Sequence, residues 1–130
     1  MNASHALNTY RNVGVQSALD DASPHRLISM LLDGALDRIA AAKGAMERGD
    51  TATQGAFLGK AITIIDNMRA SLDHQQGGEL AGRLADLYDY MERRLLAAGV
   101  SADTDALDEV CSLLREVKTG WEQIPEEMRG

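Results

Sequence analysis

The strongest constraint on this chain is a repeating gap. Leu107, Val110, Leu114, Val117, Trp121 and Ile124 follow one another at gaps of 3, 4, 3, 4 and 3. A helix of 3.6 residues per turn lines such positions up on one face, whereas a strand would alternate every second residue. The spacing recurs upstream. Leu58, Ala61, Ile65, Met68 and Leu72 form a second seam, and Leu80, Leu84, Leu87, Met91 and Leu95 form a third. Ile28, Leu31, Leu32, Ala35, Leu36, Ile39, Ala42 and Met46 make a broader stripe. Each stripe needs neighbours to bury it, so the spacing predicts an all-α, antiparallel four-helix bundle. The composition agrees. Aromatic residues are only 4% of the chain and Ala and Leu are the commonest residues, which disfavours sheets.

The breaks between stripes carry helix punctuation. Ser23-Pro24 opens the first helix, since Ser caps free N–H groups and Pro at the first helical position loses nothing. Gly49 closes it and Asp50 caps the second. His74 is expected near the end of helix two, with His74 through Gly78 as the next break. Helix three ends at Gly99, Asp103 or Ser101 opens helix four, and Pro125 prevents clean continuation. The expected organisation is an N-terminal arm or short helix over 1–22, a bundle over 23–124 and a tail over 125–130. The arm holds Leu7, Tyr10, Val13, Val15 and Leu19, too apolar for a purely solvated segment, and is expected to dock on the bundle.

Several function classes fall away. Net charge is −7, and residues 66–130 hold 7 Lys/Arg against 14 Asp/Glu. Nucleic acid and anionic membranes need basic patches, so neither is an expected partner. Cys111 stands alone, which excludes an internal disulfide and a cysteine-based zinc site; it reads as a buried, inert thiol. No apolar run reaches the roughly 18–20 residues that a membrane-spanning helix requires, and the N-terminus lacks a secretory pattern, so the cytoplasm is expected. No Glu is followed three residues later by His, as di-iron bundles require. His5, His25 and His74 lie away from the mid-helix position of a phosphotransfer histidine. Gly77-Gly78 lacks the Lys and Ser/Thr of a phosphate loop and reads as a turn. No enzyme, metal or cofactor is expected.

Some large apolar residues lie beside the seams. Phe57 and Ile64 are seven apart on helix two, and Tyr88 and Tyr90 flank the seam of helix three. They have two readings: a core face wider than one seam, or a groove that accepts a partner helix. On the second reading Phe57, Ile64, Met68 and Tyr88 contact the partner, and Tyr10 anchors the arm in the same groove.

Three segments resemble one family. ASPHRLISMLLDGALDRIAAAKGAMERGD (22–50) looks like the first-helix signature of FliS, the flagellin-specific export chaperone. LDHQQGGELAGRLADLYDYMERRLLAA (72–98) resembles its third-helix signature, and LDEVCSLLREVKTGWEQI (107–124) is similar to its last helix. Tyr10 stands where the family carries an arm tyrosine. Leu32 departs from the pattern, because the family often has Tyr there. The resemblance implies a cytoplasmic, non-enzymatic chaperone. Its client would be the disordered C-terminal segment of flagellin, which wraps around the bundle and gains helix. Binding would prevent premature polymerisation and assist delivery to the flagellar type III export apparatus, with the export gate or a cochaperone as further partners. The alternative is a helical-bundle adaptor that binds another flagellar or sigma-factor-related protein.

Overall fold

The computed structural model describes residues 23–125. Four helices follow in order: α1 (Pro24–Glu47), α2 (Thr51–Ala70), α3 (His74–Ser101) and α4 (Thr104–Glu122). Each α-helix opens on a side-chain cap. Ser23 Oγ accepts the Arg26 N–H at 3.1 Å, Asp50 that of Thr53 at 3.2 Å, and Asp103 that of Ala106 at 3.2 Å. Asp73 accepts two, from Gln75 and Gln76 at 3.1 and 3.0 Å. These oxygens satisfy amides that a helix start leaves without partners.

That double cap corrects one expectation. His74 is the first residue of α3, not the end of helix two, because Asp73 draws the following amides into a helical turn. The turn is followed by a kink at Gly78 (φ 50°, ψ −124°), a conformation open mainly to glycine. Gly77-Gly78 is therefore a bend within α3. At the other end of α3, Ala102 takes the left-handed conformation (φ 53°, ψ 47°) that usually goes to Gly. Gly49 after α1 has φ 72° and makes the expected stop.

Short connections make sequential helices antiparallel, and α1 also packs against α4, closing a ring α1–α2–α3–α4. Leu32, Ala35, Ile39, Ile65, Met91, Leu95, Leu107, Val110 and Leu114 are enclosed at its centre. Burying one such leucine contributes about 2–3 kcal/mol, so the seams supply much of the stability. The α2–α3 approach is close. A Cβ on Gly99 would stand 3.1 Å from Leu58 Cδ1, and buried Gln54 donates to the Gly99 carbonyl at 3.1 Å. Glu109 of α4 accepts from Tyr90 at 2.6 Å and from Arg94 at 2.7 Å, which fixes the register of α3 against α4. Cys111 is buried and burial pushes its thiol pKa up, as an inert thiol requires.

Candidate functional site

Where α1 begins, α2 ends, α3 begins and α4 ends, the helices leave an apolar groove of about 600 Å³. Its most buried lining residues are Met68 of α2 and Ala81 and Tyr88 of α3. Leu80 and Leu84 form the α3 wall; Val117, Trp121 and Ile124 form the α4 side; Ile28 and Leu72 complete the lining. Leu80 is 64% exposed, an unusual position for a leucine on a packed helix. The charged lining residues among those described are Asp73 and Glu116, both acidic. Burial raises the Tyr88 phenol to about 12, so the hydroxyl stays neutral at physiological pH.

One side of the groove is held by a contact across 96 residues of sequence. The His25 ring stacks on the Trp121 indole with centroids 4.7 Å apart and planes 7° from parallel. Trp121 Nε1–H donates to the His25 carbonyl at 2.9 Å, and His25 Nε2 lies 2.8 Å from the Trp121 carbonyl. A carbonyl can only accept, so Nε2 carries the proton.

The sequence candidates separate on this geometry. Met68 and Tyr88 come together at the floor of the groove. Ile64, 4% exposed, lies in the core, so the wider-core reading holds for it and the off-seam reading is corrected. The cause is α2 itself, whose apolar residues Phe57, Leu58, Ala61, Ile62, Ile64, Ile65 and Met68 cover most of its circumference. Phe57 is half-buried against the core, away from the groove, with Lys60 Nζ 5.3 Å from its ring centroid. Tyr10 falls outside the described residues. Leu80, Leu84, Val117, Trp121 and Ile124 line the groove although their spacing reads as bundle seam. The available signal was the length of the α4 seam, which continues to Ile124, next to Pro125. No group of three or more His, Cys, Asp or Glu among the described residues could hold a metal ion, and no described helix is long and apolar enough to cross a membrane.

Residues 6–128 match the family model described as Flagellar protein FliS. The Pseudomonas aeruginosa protein named flagellar secretion chaperone FliSB is 50% identical over 124 residues, covering 95% of this chain and 98% of its own length. The Salmonella typhimurium flagellar secretion chaperone FliS is 46% identical over 125 residues, 95% of this chain and 93% of its own. The Bacillus subtilis protein of that name is 33% identical over 108 residues, 83% and 80% of the two chains. The match runs through all four helices and every wall of the groove, and the chain belongs to the FliS family.

Proposed function

We propose that this protein is a flagellar secretion chaperone, not an enzyme, and that its groove receives the C-terminal segment of flagellin before export. The observation that carries the reading is the groove: an apolar lining, partly open to solvent among the described residues, in a chain whose relatives bear the chaperone name. An amphipathic segment gains by burying anchors at successive helical turns in such a surface. A segment disordered alone loses entropy on ordering, and that loss keeps the complex releasable at the export apparatus. Met68 and Tyr88 contact the client directly; Phe57 and Ile64 act only through the fold of α2. The reading places the protein in the cytoplasm, where the client is made.

Calorimetry with a synthetic flagellin C-terminal peptide tests the reading, paired with circular dichroism of the mixture. Saturable one-to-one binding and a gain in helicity beyond the sum of the parts are expected. A peptide that neither binds nor gains helix would sink it. A client already folded when alone would point to the adaptor reading instead.

A further inference from the structure

We infer that His25 is a positioning residue for the groove: it clasps Trp121 so that the indole stands ready as the α4 wall. This rests on the reading of the groove as the client site, and it adds a residue that is not among those lining the groove.

The clasp follows from how α4 ends. In a continuing helix the Trp121 carbonyl would accept the N–H of residue 125, but that residue is Pro and has none. That carbonyl accepts from His25 Nε2 at 2.8 Å instead, with a longer bond from the Ile124 amide at 3.3 Å. Trp121 answers by donating its indole N–H to the His25 carbonyl. The two hydrogen bonds and the parallel stack restrain both the backbone and the ring plane of Trp121. Nε2–H donates whether or not Nδ1 also binds a proton, so the hydrogen bond survives imidazole protonation.

Fixing the indole has a consequence for binding. A tryptophan on the last turn of a helix, without such contacts, samples several rotamers, and only those that leave the wall in place accept a client. Apparent affinity falls by the fraction of time the wall is absent. Loss of the clasp that leaves the wall formed one-tenth of the time weakens binding about tenfold. The stack also joins the first turn of α1 to the last turn of α4, two helices that no loop connects.

Trp121 is the only tryptophan in the chain, so in the protein without peptide its fluorescence reports on that one side chain. The test compares wild type with His25→Ala, His25→Gln and, as a control, Ile39→Val in the core. Three quantities are read: affinity for the flagellin C-terminal peptide, acrylamide quenching of Trp121, and Tm. His25→Ala is expected to raise quenching and weaken binding about tenfold. His25→Gln, which keeps an amide donor, recovers part of both. Ile39→Val lowers Tm without changing affinity, which separates positioning from general destabilisation. Should His25→Ala unfold, His25→Gln and His25→Phe divide the clasp into donor and ring; unchanged affinity in both overturns the proposal. So does a folded His25→Ala with greater quenching and wild-type affinity. Wild-type protein that ignores the peptide overturns the groove reading instead, and this proposal with it.

Discussion

The carboxylate of Glu92 on α3 stands 3.5 Å from the Arg69 guanidinium on α2, the farthest of three acids that share this cation. Asp66 holds Arg69 at 2.6 Å and Asp89 at 3.2 Å, while Arg93 pairs with Asp89. Glu92 is the most buried of the three, at 13% side-chain exposure, and its Oε2 has no hydrogen-bond partner among the described residues. Burial pushes its pKa up to about 7, the nearby Asp66 charge pushes the same way, and the shared Arg69 only partly offsets them.

The sign of the linkage follows. The native state holds a proton on Glu92 that the unfolded chain releases from about 4.5 upward, so this group's contribution falls as pH rises toward 7. Glu92→Gln removes the penalty. Its Tm should exceed that of wild type by a few degrees at pH 8 and converge with it below about 4.5. Parallel Tm curves for the two proteins across that range would show that Glu92 does not titrate this way.

Two positive-φ positions carry opposite residues, and exchanging them should have opposite effects. Gly78→Ala forces a side chain into φ 50°, ψ −124°, and should cost about 1–3 kcal/mol in urea unfolding. Ala102→Gly relieves a left-handed alanine and should stabilise by roughly 0.5–1 kcal/mol after the added freedom of the unfolded chain is counted. A destabilised Ala102→Gly would mean that the methyl group packs in a way its backbone strain conceals.

Leu80 and Leu96 are similarly exposed, at 64% and 60%, but only Leu80 lines the groove. Leu80→Asp should weaken peptide binding at least about tenfold, whereas Leu96→Asp should leave it unchanged. Both should stay within about 0.5 kcal/mol of wild-type stability, because neither side chain is in the core. Equal losses of affinity in the two variants would place the client elsewhere.

Leu32 is completely enclosed at the centre of the bundle. Leu32→Tyr adds volume and a hydroxyl to a packed centre, and should cost about 1–3 kcal/mol by chemical denaturation. Wild-type stability in that variant would reveal room and a polar partner that the leucine leaves unused.

The bundle was legible from local rules. Gaps of three and four define a helix face wherever they occur, and Ser23, Asp50 and Asp103 cap helices by bonding amides three residues away. His74 was misassigned because a helix end and the next cap are adjacent there, and Asp73 gathers two amides that spacing alone does not allot. Tyr88 was singled out from its place beside a seam and Met68 from its place on one, and both line the groove. Ile64 met the same criterion and is core, because spacing orients a residue around its own helix and does not say how near the next helix stands.

Sequence alone thus determined the helices, their order, the apolar face of each and, through resemblance, the family. Only the tertiary structure decided which parts of those faces stay open. Leu80 and Trp121 lie on the same seams as Leu95 and Leu114, yet they border a groove, since cover depends on distances between helices. It also brought His25 to the carbonyl that Pro125, having no N–H, cannot bond. That pairing joins positions 96 residues apart, a separation that only the closure of α1 against α4 removes.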